Sequence, residues 1–107
     1  MSGYFLSRLA DLDVDQIYDF GLGEWGERQA DRYLYGLFDA FERIGLAPGM
    51  GRRRPELHQM LRSLPHGSHV IIYAPQGSEV AIVRVVHGSA DIKRVFQDYD
   101  PIAALKR

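Results

Sequence analysis

Residues 29–45 read Gln29-Ala30-Asp31-Arg32-Tyr33-Leu34-Tyr35-Gly36-Leu37-Phe38-Asp39-Ala40-Phe41-Glu42-Arg43-Ile44-Gly45, and the architecture follows from what this segment must bury. Ala30, Tyr33, Leu34, Leu37, Phe38, Phe41 and Ile44 recur at i, i+3, i+4 and i+7 and form one apolar stripe along a helix. Gln29, Arg32, Asp39, Glu42 and Arg43 take the opposite side. Gly36 inside the helix costs up to ~1 kcal/mol relative to alanine. Gly45 stands where a terminating C′ glycine is expected, and Pro48 forbids continuation.

Upstream, Ala10, Val14, Ile17, Tyr18 and Gly21 also fall at helical spacing. Acids crowd the start of that segment, where the helix dipole favours them. Gly21 and Gly23 are expected to end it or loosen its last turn, leaving a short linker from Gly23 to Gly26. A short linker makes the two helices an antiparallel hairpin, and Trp25 is expected to plug its end as a core residue. Before them, Tyr4-Phe5-Leu6 reads as a short strand, and Ser7 as the N-cap of the first helix.

Downstream the period changes. Residues 47–56 hold Pro48, Gly49, Gly51 and Pro55 around Arg52-Arg53-Arg54, and read as a loop. Met60–Leu64, Val70–Ala74 and Val80–Val86 are runs rich in β-branched residues, split by turns at Pro65-His66-Gly67 and Pro75-Gln76-Gly77-Ser78. The fold class is therefore α+β: an N-terminal strand and an antiparallel helical hairpin packed on a three- to four-stranded antiparallel sheet. The last two strands are apolar on both faces. One face packs on the helices; the other is expected to stay uncovered and to mark a partner site.

The chain has 107 residues, 46% hydrophobic and 25% charged. That composition excludes disorder, collagen and a coiled-coil rod, and it predicts one domain over residues 1–107, with a core at about 4–95 and a variable tail at 96–107. The absence of cysteine excludes disulfides, zinc ribbons and thiol catalysis. No apolar run approaches the ~18 residues of a membrane span, and no secretion signal is visible, so a cytoplasmic location is expected. The net charge of −1 hides an asymmetry: residues 1–50 carry 4 Arg against 9 acids, and residues 51–107 carry 9 Arg+Lys against 5 acids. One pole is acidic and the other basic, which suits an anionic or a matching partner.

The residue types that could carry chemistry sit in the second half: Arg62, His69, Tyr73, Arg84 and His87 on the strands, and Arg52, Arg53 and Arg54 in the loop. RNA cleavage needs a base and cations around a developing phosphorane. A turn centred on Gln76-Gly77 sets His69 opposite Arg84 and Tyr73 opposite Val80, so that His69, Tyr73 and Arg84 share a face. A one-residue slip breaks this trio. Arg84 and His87, an odd number apart, point to opposite faces unless a bulge intervenes. The blander reading of Arg84 is an ion pair with a helix acid, that of the histidines structural hydrogen bonding, and that of the arginine run a solvated loop. No dense catalytic set emerges, so no catalytic residue is assigned. The spacing of His58, His66, His69 and His87 matches no metal site, and nothing calls for a cofactor.

Taken in order, these segments resemble the ParE branch of the RelE/ParE toxin superfamily. The resemblance is carried by Leu6-Ser7 followed by Ala10 and Asp11, by Ile17-Tyr18-Asp19 running into Trp25-Gly26, and by Gln29-Ala30 with Tyr33 and Phe41. It continues through Gly51-Arg52-Arg53-Arg54-Pro55-Glu56-Leu57, Leu61-Arg62-Ser63-Leu64, Gly67-Ser68-His69-Val70-Ile71-Ile72-Tyr73 and Ile82-Val83-Arg84-Val85-Val86-His87-Gly88 before Asp91-Ile92. It covers roughly residues 4–95. Gly21-Leu22-Gly23 and the tail after Val95 depart from it. The resemblance implies a bacterial toxin that poisons DNA gyrase by binding. It also implies neutralisation by a ParD-like ribbon-helix-helix antitoxin in a heterotetramer, with no sequence-specific DNA reading by this chain. Arg52, Arg53, Arg54, Arg62, His69, Tyr73, Arg84 and His87 are then candidate target or antitoxin contacts. The superfamily's ribosome-dependent ribonucleases supply one alternative, and a non-toxic antitoxin-binding module another.

Overall fold

The computed structural model describes residues 3–97 and residue 101. Strand β1 (Gly3–Leu6) leads into helix α1 (Arg8–Trp25) and helix α2 (Glu27–Leu46). A 3₁₀ turn at Pro48–Met50 precedes strands β2 (Arg52–Arg53), β3 (Arg62–His66), β4 (His69–Gln76) and β5 (Glu79–His87), and a short helix α3 (Ile92–Val95) follows. The expected helical hairpin on a sheet is present. The sheet is larger than the strand patterns showed: five strands in the order β1-β5-β4-β3-β2, with β1 parallel to β5 and the other pairs antiparallel. Most of the tail expected at 96–107 lies outside the described residues.

Ser7 explains how the first strand joins helix and sheet. Its hydroxyl accepts from the Ala10 amide at 3.0 Å, capping α1, and donates to the Val83 carbonyl at 2.7 Å. Val83 is available because β5 bulges there: Tyr73 pairs with Ile82 while Ile72 pairs with Arg84, leaving Val83 without an opposite residue. One side chain thus ties the helix start to the irregular point of β5.

The helices run further than the glycines suggested. Helix α1 passes through Gly21 and Gly23 to Trp25, and Gly26, with φ 85°, turns the chain into α2. Gly21 is buried, and a Cβ there would lie 3.2 Å from the Trp25 ring and 3.4 Å from the Ala30 Cβ; the glycine allows close packing rather than ending the helix. Gly45 likewise lies inside α2, where a side chain would press on the Gly3 carbonyl of β1 at 3.1 Å. Both hairpin turns shrink to two residues, Gly67-Ser68 and Gly77-Ser78, each opening on a glycine with positive φ. Pro65 and His66 therefore belong to β3, which starts at Arg62 rather than Met60.

One core fills the space between hairpin and sheet. Leu37, Phe41 and Ile44 of α2 meet Ile71, Tyr73, Val80 and Ile82 of the strands, all at most 1% exposed. A second core occupies the opposite face of the sheet, built on Ile72, Ala74, Val83 and Val86. This overturns the expectation of a bare apolar face. Leu57 and Leu61 cover one part, and Ala90, Ile92, Val95 and Phe96 cover another. Asp91 caps α3 by accepting from the Arg94 amide, which places Ile92 and Val95 against the strands. The chain shields its own sheet, so its exposed apolar surface lies elsewhere.

Candidate functional site

Much of that surface is on α1, with Tyr35 and Leu46 of α2, Met50 and Met60 exposed elsewhere. Leu9, Leu12 and Phe20 follow one another at helical spacing on the outer side of a helix otherwise rich in acids, and Phe20 is 64% exposed. Phe20 and Trp25 open into a groove of about 450 Å³ between α1, the paired ends of β4 and β5, and the segment around Ala90–Val95. Trp25 was expected in the core; it is 40% exposed and stands at the groove, with Tyr33 behind it at a ring separation of 5.7 Å. The mainly apolar lining is punctuated by Asp13, Gln16, His69, Arg84 and His87.

Asp13 and Arg84 form the strongest polar contact there. Arg84 donates from Nε to Asp13 Oδ2 at 2.7 Å and from Nη2 to Oδ1 at 2.9 Å, and the Val85 amide donates to the same Oδ2 at 2.9 Å. The fork geometry matches the carboxylate at both oxygens. Side-chain exposures of 21% and 11% place the pair half inside the protein. The helix-acid reading of Arg84 is the geometry found.

His69 pairs across the sheet with His87, not with Arg84, because the turn is centred one residue later than expected and β5 carries the bulge. The trio His69, Tyr73 and Arg84 does not form. In its place His69, Arg84 and His87 border one groove, with the two imidazoles 5.5 Å apart in edge contact. Behind His69, the Tyr33 hydroxyl donates to the His66 carbonyl at 3.0 Å and lies 2.6 Å from His69 Nδ1. Burial, then the charges of His87 and His66, push the His69 pKa below its ordinary 6.5, against a weaker opposing pull from Asp13. His66 is lowered by burial and by Arg43. His87 accepts at Nδ1 from the Ser89 amide at 3.1 Å, and the Ser89 hydroxyl lies 2.7 Å from the same nitrogen.

The remaining predicted residues gather at the far end of β4. Tyr73 is fully buried; its hydroxyl donates to the Pro48 carbonyl at 2.7 Å and accepts from the Gly51 amide at 2.8 Å. Desolvation raises its pKa. Arg62 donates to the Gly51 carbonyl at 2.8 Å, so Tyr73 and Arg62 together pin the 3₁₀ turn and β2 to the sheet. Arg54 donates from Nε to Glu56 at 2.8 Å and from Nη1 to Ser63 Oγ at 3.1 Å. Arg52 and Arg53 are exposed on the edge strand. Sequence reasoning missed Asp13, Phe20 and Tyr33. Phe20 alone carried a local sign, as a large apolar side chain outside the α1 core spacing.

Among the described residues, no group of three or more histidines and carboxylates could hold a metal ion, and no helix is long and apolar enough to cross a membrane. A family model described as the ParE toxin of type II toxin–antitoxin systems, parDE, matches residues 4–92. The chain is 38% identical over 93 residues to Toxin ParE1 of Caulobacter vibrioides, an alignment covering 87% of this chain and 96% of that protein. It is 35% identical over 94 residues to Toxin ParE1 of Mycobacterium tuberculosis, with the same coverage of each. Among solved structures, a chain of the chromosomal ParDE system from P. aeruginosa superposes with a TM-score of 0.68 at 22% identity, over 81% of this chain and 95% of that one, a likeness of fold. The chain belongs to the ParE family, the toxins of type II toxin–antitoxin systems, whose membership implies an antitoxin partner.

Proposed function

We propose that this chain poisons DNA gyrase by binding, in the cytoplasm. On this reading it is held inactive by a ParD-like ribbon-helix-helix antitoxin whose amphipathic C-terminal segment lies in the groove beside α1. The observation that carries the docking half is that Phe20, 64% exposed, and the outer part of Trp25 border a groove of about 450 Å³ on an acidic helix. Aromatic anchors in a largely apolar cleft are what an amphipathic helix requires. Leu9 and Leu12 extend the strip along α1. A dimeric DNA-binding half of the antitoxin would make the assembly two-plus-two.

A binder fits the groove better than a nuclease does. Arg84, the cation best placed for phosphorane charge, spends its fork on Asp13, and Arg62 is committed to a loop carbonyl at the other end of β4. The ribonuclease alternative keeps one supporting observation, the His69–His87 contact with a pKa-lowered His69. The test is direct. Purified chain should stall gyrase on supercoiled DNA and leave ribosome-bound mRNA intact, and the antitoxin should abolish the stall. Cleavage of mRNA with untouched gyrase would reverse the assignment. Phe20→Asp should lose antitoxin capture while retaining the circular dichroism of the parent.

A further inference from the structure

We infer that the opposite end of the sheet holds an oxyanion site, built on Arg53 and Arg62, that takes a phosphate of a nucleic-acid backbone. Arg53 of β2 and Arg62 of β3 are direct cross-strand partners. Residues so paired stand on the same face with Cβ atoms about 5 Å apart, and like charges in that position repel. Here neither guanidinium has a carboxylate partner among the described residues: Arg62 donates to the Gly51 and Gly49 carbonyls, and the nearby Glu56 is engaged by Arg54. The two arginines border a cavity of about 170 Å³ with Gln59, Met60 and Pro75, and no described side chain lining it is acidic. The fork of Arg53, the part of the Arg62 fork that its two loop carbonyls leave over, and an amide around a phosphate-sized opening form an anion receptor.

The surroundings favour a nucleic-acid phosphate over an acidic peptide. A peptide docking at a sheet edge gains affinity from main-chain pairing. Strand β2 is two residues long and ends at Arg54-Pro55, which leaves almost no ladder to extend. A phosphodiester backbone needs no such ladder, since it offers its charge as isolated points. Arg52 adds a further exposed cation on the same edge. The acids Asp11, Asp15, Asp19 and Glu24 are exposed on α1, so the face that α1 presents repels a polyanion. The site lies at the Pro75 end of β4, away from the groove at its His69 end, and it does not depend on where an antitoxin docks.

The test uses the purified chain and a fluorescein-labelled 20-base-pair duplex, read by anisotropy across a salt series. Arg53→Glu should weaken binding about tenfold or more and lower the salt slope by about one to two. Arg94→Glu, the same charge change on exposed α3, should weaken it less than about threefold. Arg62→Lys keeps the charge while losing the fork and, with circular dichroism matching the parent, should weaken binding by an intermediate factor. Equal losses in Arg53→Glu and Arg94→Glu would overturn the site, as would absence of duplex binding at low salt. A poly-glutamate peptide that displaces the duplex more effectively than unlabelled duplex would also overturn it, by identifying a peptide receptor.

Discussion

Two arginines in the same sheet meet opposite fates. Arg84, in the interior strand β5, reaches α1 and is matched at two nitrogens by Asp13, which also accepts from the Val85 amide. Arg53, on the edge strand β2, faces another arginine across the ladder. One end of the sheet has spent its positive charge on holding a helix in place; the other presents it to solvent. Residue type alone therefore says little about which cation recognises a partner. The deciding factor is whether the topology brings a carboxylate within reach.

The contrast can be broken most forcefully at Asp13. Asp13→Ala removes the carboxylate that Arg84 and the Val85 amide share, at a pair that is mostly out of solvent. It should cost about 3 kcal/mol, the low end for breaking a buried pair because the side chains keep some exposure, seen as a lower urea midpoint. Asp13→Ala combined with Arg84→Met should recover much of that loss. A smaller effect is expected at the basic end, where Tyr73→Phe removes both the donor to Pro48 and the acceptor for Gly51. The expected loss is about 1–3 kcal/mol, measured by the same denaturation.

Smaller again is the pH response of the groove, since His66 and His69 keep part of their solvent contact. Both have folded-state pKa values below the ordinary 6.5, so the unfolded chain binds more protons as acid is added. Their contribution is fully present above pH 6.5 and is lost as the pH falls through 6.5 towards the folded values. A urea midpoint that drops over that window, and drops less in His69→Gln, is the expected outcome. The smallest effect belongs to Arg53→Gln, which relieves a like-charge pair on the surface. Stability should change by no more than about 0.5 kcal/mol, and upward, while duplex affinity falls.

Particular residues mark how far the amino-acid pattern reached. Ser7 was legible as a cap because capping is a contact three residues long. The α2 stripe was legible because Leu37, Phe41 and Ile44 repeat with the helix itself. His69 was placed opposite the wrong partner because a two-residue turn at Gly77-Ser78 and one unpaired residue, Val83, together move the register. The second face of the sheet was misjudged because Ile92, Val95 and Phe96, scattered through a polar segment, become a cover only after Asp91 starts a helical turn there.

The order of residues by itself determined the helical hairpin, the existence of the β4 and β5 strands, the acidic and basic poles and the family. Each of these is written in spacings of a few positions, where local geometry repeats. Tertiary structure alone decided that β1 joins β5 in parallel, that Arg84 is neutralised by an acid 71 positions earlier, and that Arg53 is left opposite Arg62. Those pairings depend on which distant segments come together, and the free energy that selects them comes from burying both faces of the sheet at once, a quantity no short stretch of chain contains.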